Sequence, residues 1–447
     1  MDTKSHDKFT EIVELSQKFK ENFIGGRQHV RELYDDKVIK MLRPLMSPED
    51  LDNTLWRMQE GMFSDRTYDN TDIARRILTL RREIALENSY PDYAAMRYDY
   101  LKPILPTVDE VRTFLEKVLK TSYIELKQEI DAIREKYPEY TETDLRSYHR
   151  YAEKYRQERW GDVITVSYEQ ALNAIFGLIK RLYDISFEPI DNSTQDIETW
   201  NIVHQGQNYG NLQMDVFAGK NKTVQNASIS KSEQGNETDF TLTAYIQDPD
   251  RLSISDVRIL LGRFRVLCYE VVNEDKTGKR PIEIKQVAGK FLEKFLMDDD
   301  FLKDLLSVTV LDPETKAHIK FGTSVEKFVQ AMKDLIELEM HVCEIQEYDD
   351  LKLFENKVYR HIYDNIIHDE IFPEYLETQL VTISTLLNSF VNGWETLAYV
   401  HFVGDVIAEY LFQEYERDHS FIEKVIELWN NPSRGFCSLS VNVLLKE

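Results

Sequence analysis

Apolar residues recur at intervals of three and four along most of this 447-residue chain. From His6 to about Lys136, and again from 253 to about 429, this spacing predicts helices. Between Thr199 and Gln247 the sequence becomes alternating and rich in turn residues, which is typical of short strands. The chain is therefore predicted to be mainly α-helical, with a small inserted antiparallel β-sheet.

The change of pattern suggests three regions. We expect an N-terminal helical region at 1–190, the small β-sheet at 191–252 and a C-terminal helical region at 253–447. The sequence contains no long Gly/Ser linker and no fixed-period repeat, so we predict one continuous body. Among the helix starts, Thr107-Val-Asp-Glu110 is predicted to form a capping box.

The charge of the chain limits its partners. Lys and Arg number 55 against 79 Asp and Glu, and the net charge of −24 argues against binding nucleic acid or an anionic membrane. The N-terminus lacks the apolar stretch of a signal peptide, and the longest uncharged run, Thr378–Trp394, is too polar for a membrane span. The three cysteines have no metal-type spacing. We expect a cytoplasmic protein without disulfides.

The stretch Ser253–Val272 has the pattern of a buried or half-buried helix. Ser253 and Ser255 are available as N-caps, and Asp256 suits the first turn. The apolar residues at helical spacing are Val257, Leu260, Leu261, Phe264, Leu267 and Val271.

Three segments carry a family resemblance. They are Ala171–Ile190, which contains IFGLIKRLYDISFEPI; Asp256–Leu306, which contains VAGKFLEKFLMDDDFLKDLL; and Met332–Phe412, which contains MKDLIELEMH and NGWETLAYVHFVGDVIAEYLF. In order and separation they resemble the thimet oligopeptidase and oligoendopeptidase F family of zinc metallopeptidases, and Ile73–Glu135 fits at lower similarity. The resemblance implies an oligopeptidase-like, zincin-related helical body, truncated because family members are considerably longer.

The resemblance also implies that the zinc chemistry is lost. An active member needs two His four residues apart on one helix, a Glu beside the first as general base, and a third ligand from the next helix. The aligned positions hold Gly262 and Val266 for the two His, Arg263 for the base and Gln286 for the Glu ligand. An Arg repels a divalent cation and accepts no proton at neutral pH. We therefore expect no catalytic residue, no metal ligand and no zinc at these positions.

The substrate-positioning residues of the family lie on a late helix rich in Gly and Tyr. The aligned positions hold Ser389, Trp394, Ala398 and His401, and Tyr399 is kept as an aromatic residue. Trp394, Tyr399 and His401 can line a cleft, although aromatic residues at helical spacing also fit a core.

The family also has a strand at a sheet edge just before its catalytic helix, where a peptide can add as a further strand. Phe240–Gln247 holds that place. The candidate peptide-binding residues there are Phe240, Thr241, Leu242, Thr243, Ala244 and Tyr245. Arg263 and Arg265 can contact a peptide carboxylate or an acidic partner, or can pair internally.

Three hypotheses follow. The first is a pseudopeptidase that binds a peptide or protein partner in a remnant cleft. The second is an active metallo-oligopeptidase with a displaced metal site, for which His361, Asp364 and His368 can share one helix face, although such residues are usually only solvated. The third is a structural subunit whose cleft is closed around Gly262 and Trp394.

Overall fold

The structure is a computed structural model. It describes residues 3–33, 70–141, 145–161, 164–190, 197–217, 228–234, 237–246, 248–272, 283–369, 390 and 395–430. Of the predicted site residues, Ser389, Trp394 and the side chain of Tyr245 lie outside this description.

Helices account for most of the described residues. In chain order they are α1 (Thr3–Leu33), α2 (Thr71–Glu87), α3 (Tyr93–Leu101), α4 (Val108–Lys136), α5 (Leu145–Trp160), α6 (Tyr168–Tyr183), α7 (Ile254–Val272), α8 (Glu283–Lys294), α9 (Asp299–Leu306), α10 (Glu314–Lys320), α11 (Thr323–Val342), α12 (Leu351–His361), α13 (Val400–Arg417) and α14 (Ile422–Asn430). Short 3₁₀ segments cover Phe295–Met297, Ile345–Asp350 and His419–Phe421, and a π-helical turn covers Ile362–Ile367.

The strands lie between α5 and α7. They are β1 (Thr165–Val166), β2 (Ile185–Pro189), β3 (Glu198–His204), β4 (Gln207–Phe217), β5 (Ser228–Gln234), β6 (Glu237–Ile246) and β7 (Leu252–Ser253). The chain divides into two compact units, 1–152 with 322–399 and 153–321 with 400–447. Each unit combines distant parts of the sequence. The three consecutive regions within one continuous body stay a prediction.

The first unit is helical. Helix α1 packs on α2, and α4 packs on α11, with a stripe of fully buried α4 residues at helical spacing. That stripe contains Val111, Leu115, Leu119, Leu126 and Ile133. The predicted capping box at the start of α4 is confirmed: the Glu110 N–H donates to Thr107 Oγ1 at 3.3 Å, and the Thr107 N–H donates to Glu110 Oε2 at 3.0 Å.

The second unit contains a five-stranded sheet in the order β2-β3-β4-β6-β5. The pairs β2–β3, β3–β4 and β5–β6 are antiparallel, whereas β4 and β6 are parallel, so the sheet is mixed and not purely antiparallel as predicted. The reason is that the β5–β6 hairpin places β6, not β5, beside β4. Strands β1 and β7 form a separate short antiparallel pair.

Helix α7 covers one face of this sheet. The Phe264 ring lies 5.9 Å from the Phe187 ring of β2, measured between centroids. At the other end of the helix, Lys231 of β5 pairs with Glu270 at 3.2 Å, and the Tyr209 hydroxyl of β4 donates to the Glu270 carbonyl at 2.9 Å. The helix therefore crosses the strands and is fixed at both sides of the sheet.

Among the described helices, none combines the length and apolar character that crossing a bilayer requires.

Candidate functional site

Helix α7 is the centre of the candidate site. It begins with the predicted N-cap, because the Asp256 N–H donates to Ser253 Oγ at 3.2 Å and the Ser253 N–H donates to Asp256 Oδ2 at 2.8 Å. All six predicted apolar positions of α7 are buried. Between them Gly262, Arg263, Arg265 and Val266 are only half-buried. These four positions of α7 therefore lie at the margin of the packed core of the second unit.

Gln286, at the position of the absent Glu ligand, lies on α8 and is buried, with 3% of its surface exposed. Arg265 Nη1 donates a hydrogen bond to Gln286 Oε1 at 2.9 Å. A Cβ on Gly289, one turn along α8, would lie 2.0 Å from Arg265 Cδ, so the Arg265 side chain passes over this glycine. Helices α7 and α8 run antiparallel here, because Gly262 faces Glu293 near the far end of α8.

Helix α13 forms the third side of the site. A Cβ on Gly404 would lie 2.8 Å from Gln286 Cβ and 3.0 Å from the Gln286 carbonyl carbon, so the glycine permits the two helices to touch at this point. Further along, Lys294 of α8 pairs with Asp405 at 2.9 Å and with Glu409 at 2.8 Å. Burial opposes the charge of Lys294, but the two carboxylates outweigh it and raise its pKa. The contacts follow the same order along both helices, so α8 and α13 lie side by side and run in the same direction.

The residues at the family's metal positions do not fit zinc. Gly262 and Val266 carry no ligand atom, and the Gln286 carboxamide oxygen already accepts a hydrogen bond from a guanidinium. Zinc sites in proteins use imidazole nitrogen, thiolate or carboxylate. Among the described residues, no three His, Cys, Asp or Glu side chains lie close enough together to hold a metal ion.

The site is rich in positive charge. Arg263 and Arg265 are desolvated by the surrounding protein, which lowers the pKa of both guanidinium groups, and Glu293 only partly offsets this. His401 of α13 keeps solvent-accessible surface, yet desolvation by the protein around it, followed by the charges of Lys290, Arg265 and Arg263, lowers its pKa to about 4. His401 is therefore neutral at pH 7, whereas the arginines stay charged.

Four further residues belong to the site although no motif in the sequence pointed to them. They are Lys290, Glu293, Gly289 and Gly404. Lys290 pairs with Glu293 at 2.8 Å, and Glu293 Oε1 lies 3.0 Å from the place a Gly262 Cβ would occupy. The sequence signal that could have located this part of the site is Gly289, which lies inside the helix after α7. A glycine inside a helix is destabilising relative to alanine, so its presence indicates that another group approaches the helix closely.

The strand predicted to lie at the sheet edge does not lie there. Strand β6, which contains the candidate residues from Phe240 to Tyr245, is flanked by β4 on one side and β5 on the other. Phe240 and Leu242 are fully buried. Within the described part of the chain, β5 pairs only with β6 and is the edge strand on this side. The edge assignment of Phe240–Gln247 was therefore wrong, because a hairpin partner covers β6.

The late candidate residues are not on one helix. Helix α13 begins at Val400, and residues 395–399 form turns, with Thr396 at a φ of +63°. Tyr399, 1% exposed, packs edge-on against Tyr98 with ring centroids 6.1 Å apart. This placement favours the core interpretation of Tyr399. Ala398 is half-buried, and of the late positions that the structure describes only His401 belongs to the second unit, together with α7 and α8.

A buried polar network in the first unit fixes this turn. The Thr396 N–H donates to Glu337 Oε1 at 2.6 Å, and the Tyr98 hydroxyl donates to the Thr396 carbonyl at 2.9 Å. Burial and then the charge of Arg81 lower the pKa of His341, whose Nε2 lies 3.0 Å from Arg81 Nη1. His341 is thus a neutral acceptor for this arginine. These residues lie far apart in sequence, so no local pattern predicts the turn.

The alternative metal candidates His361, Asp364 and His368 all lie in the described part of the chain and do not form a metal-binding group. His361 ends α12, while His368 follows the π-helical turn with a φ of +55°. His361 Nε2 lies 3.4 Å from Glu116, and His368 Nδ1 lies 2.8 Å from the Asp364 carbonyl. Both histidines therefore have local contacts that need no metal.

A small sheet covered by one central helix, with a further helix after it, is the arrangement that the resemblance implied for a metallopeptidase body. The family model described as Peptidase family M3 matches residues 53–425, and the chain therefore belongs to this family. The predicted family and the mainly α-helical, oligopeptidase-like fold are thereby confirmed.

Solved structures agree with this fold. PZ peptidase A, solved with an inhibitor, is 10% identical with a TM-score of 0.61, and the match covers 99% of this chain and 73% of that one. A putative oligoendopeptidase F is 9% identical with a TM-score of 0.62 and the same coverage. Such low identities show the fold alone. A comparison with curated proteins found no match.

Proposed function

We propose that this chain is a non-catalytic member of peptidase family M3 that binds a peptide or protein partner on the surfaces that surround the degenerate site. One observation carries the proposal: Gln286, at the position of a metal ligand, is hydrogen-bonded to Arg265, while Arg263 stands at the position of the general base. The residue at one ligand position is thus hydrogen-bonded to a guanidinium, and a second guanidinium stands where the base would be.

The chemistry of this pair does not support hydrolysis. Peptide hydrolysis by a zinc enzyme needs a Lewis acid to polarise the carbonyl and a base to accept a proton from water. Arg263 cannot act as the base, since a guanidinium stays protonated at neutral pH even when desolvation lowers its pKa. The described residues offer no replacement cluster for a metal. We therefore do not expect the family reaction.

Two features support binding. The degenerate positions Gly262, Arg263 and Val266 keep solvent-accessible surface, and His401 is exposed, which argues against a site filled by its own side chains. In addition, β5 presents one unpaired backbone edge within the described residues, and such an edge can accept an extended peptide as another strand. The peptide-binding strand of this proposal is therefore β5 and not β6.

The net charge of −24 fits a basic or neutral partner better than nucleic acid or an anionic membrane. A cytoplasmic location remains part of the proposal.

Peptide binding and turnover can be measured in one experiment. A pool of randomised heptapeptides carrying a dansyl group is titrated with the purified protein, followed by fluorescence anisotropy, and the same samples are analysed by mass spectrometry after a day. We expect saturable binding and intact peptides. Cleavage that a chelator abolishes would instead establish the active metallopeptidase, and the absence of binding would favour the structural subunit.

A further inference from the structure

His341, near the end of α11, lies between two groups that fix its protonation state. Its Nδ1 lies 2.9 Å from the Glu337 carbonyl oxygen, which can only accept a hydrogen bond, and its Nε2 lies 3.0 Å from Arg81 Nη1, which can only donate one. The imidazole therefore carries its single proton on Nδ1 and keeps a lone pair on Nε2. A second proton on Nε2 would face the guanidinium, so protonation of His341 requires this contact to break.

The protein around His341 opposes a second proton. His341 is 1% exposed and Arg81 is 4% exposed, so water does not screen the two side chains from each other. From α3, the Tyr93 ring stacks on the imidazole with centroids 5.6 Å apart, and the charge of Arg97 acts on the imidazole as well. Burial first, and then the charge of Arg81, lower the pKa of His341.

Arg81 connects the imidazole to Glu395, the first residue of the turn that precedes α13. Its Nη2 lies 3.9 Å from Glu395 Oε2, while its Nη1 faces His341. The Glu395 carboxylate also lies 3.7 Å from Arg97 Nη2 and accepts a hydrogen bond from the Tyr93 hydroxyl at 3.1 Å. Movement of Arg81 away from a protonated imidazole therefore disturbs the contacts that hold Glu395.

Thr396, the next residue of the turn, is strained. Its φ of +63° lies in the left-handed region, which a β-branched residue adopts only where the surroundings impose it. Two contacts impose it here: Glu337 Oε1 accepts the Thr396 N–H at 2.6 Å, and the Tyr98 hydroxyl donates to the Thr396 carbonyl at 2.9 Å. Glu337 Oε1 also lies 3.3 Å from His341 Nδ1, so the strained residue and the imidazole share one carboxylate.

We propose that the contact between Arg81 and His341 is an acid-sensitive latch, which holds the turn at 395–399 closed at neutral pH and releases it when the imidazole takes up a second proton. The closed turn keeps His341 unprotonated, whereas release exposes the imidazole to water, where it titrates near pH 6.5. The closed state is therefore fully favoured above about pH 6.5 and loses about tenfold in its population ratio for each pH unit below that value.

Release of the turn has a structural consequence for the next helix. Val400, directly after the turn, is the first residue of α13. Opening of 395–399 therefore frees the backbone at the N-terminal end of the helix that carries His401. The latch is independent of the proposed function, because it needs neither a peptide nor a metal ion.

Hydrogen exchange of the full-length protein, followed by mass spectrometry from about pH 5 to about pH 7.5, measures release at 395–399. Correction for the intrinsic pH dependence of exchange gives the opening constant of this segment. Carboxyl groups ordinarily titrate near pH 4, below this window. We expect the opening constant of the wild type to be constant above about pH 6.5 and to rise about tenfold for each pH unit below it.

Two controls separate release of the turn from general unfolding. Residues 111–119 of α4, in the same unit, report unfolding of that unit, and we expect their protection to remain higher than that of 395–399 at every pH. Burial raises the pKa of Asp334 on α11, so its contribution to stability grows as the pH falls. Asp334 therefore acts in the direction opposite to the expected rise in opening.

Two variants separate the imidazole from the strain. In His341→Gln the carboxamide can donate to the Glu337 carbonyl and accept from Arg81 but does not titrate, so the opening constant should not change with pH in this window. In Thr396→Gly the left-handed φ is no longer strained, and no hydrogen bond of Thr396 Oγ1 to the described residues is lost. We expect this variant to open about fivefold less or rarer still, with the pH dependence of the wild type.

A wild-type opening constant that stays the same from about pH 7 to about pH 5, or a folded H341Q with the wild-type pH dependence, would overturn the latch. An equal rise at 111–119 would overturn it too, because the whole unit would then unfold. If circular dichroism shows that H341Q is not folded, R81Q takes its place. Without the guanidinium the imidazole can be protonated in the closed turn, so the pH dependence should shrink, and an unchanged dependence would contradict the proposal.

Discussion

Arg265 Nη1 and Gln286 Oε1 are joined by a 2.9 Å hydrogen bond between α7 and α8. The bond links a residue inside the degenerate motif to the residue at the absent ligand position. Because a carboxamide is a neutral partner for a guanidinium, the charge of Arg265 is not compensated by this contact.

Replacing Gln286 with Glu should stabilise the protein. The new carboxylate would accept the same hydrogen bond and add a charge pair with Arg265, which we expect to raise the free energy of unfolding by about 1 kcal/mol. Chemical denaturation at pH 7 measures the change. In an R265Q background the gain from Q286E should largely disappear, and a gain of the same size there would contradict the pairing.

Gly404 and Gly289 should respond differently to alanine. In Gly404→Ala the methyl group would meet Cβ and the backbone of Gln286 at 2.8 to 3.0 Å, so we expect a net loss of about 1–3 kcal/mol despite the better helix propensity of alanine. In Gly289→Ala the methyl group meets the flexible Arg265 side chain, which can move. The loss should therefore be smaller.

A double-mutant cycle checks this interpretation. With Arg265 truncated to Ala, Gly289→Ala should become stabilising by up to about 1 kcal/mol, since only the helix propensity remains. Thermal and urea unfolding of the single and double variants give the comparison. Additive effects of R265A and G289A would show that the two residues do not touch.

Asp334 should make the stability depend on pH. This carboxyl group on α11 is buried, and burial raises its pKa to about 7, against the smaller effects of a hydrogen bond from Gln330 and the charge of Lys333. Because the folded pKa exceeds the unfolded one, the folded state binds more protons between about pH 4 and pH 7. The contribution of Asp334 to stability is thus largest below pH 4 and is lost as the pH rises to about 7.

Asp334→Asn removes this titration and keeps an acceptor for Gln330. We expect the variant to be more stable than the wild type at pH 8 by on the order of 1 kcal/mol or more, with the difference shrinking towards pH 4. Urea denaturation of both proteins across this range measures it. Parallel pH profiles of the two proteins would contradict a raised pKa at Asp334.

Local sequence signals predicted the helix starts well. Thr107 with Glu110 and Ser253 with Asp256 are three residues apart, and a cap depends only on the few residues around it. The alternation of apolar and polar residues is also a local signal. It located the sheet because it shows which side of a strand is buried.

Strand neighbours and turns were less predictable. The alternation of β6 is the same whether it lies at an edge or between β4 and β5, so the sequence pattern could not reveal its partners. The turn at 395–399 depends on Glu337 and Tyr98, which are distant in sequence. Similarly, the Arg265–Gln286 contact requires the helix register that Gly289 and Gly404 permit.

The site around Gly262, Arg263, Val266 and Gln286 contains no imidazole, thiolate or carboxylate at the positions of the family's zinc ligands, so we expect it not to hold zinc. The metal content of the purified protein, measured by inductively coupled plasma mass spectrometry after incubation with zinc and gel filtration, tests it most directly. The variant G262H/R263E/V266H/Q286E restores the family's ligand types and serves as the matched positive control. We predict no stoichiometric zinc in the wild type and zinc retention in that variant; one zinc ion per wild-type chain, lost upon substitution of Gln286, would contradict the claim.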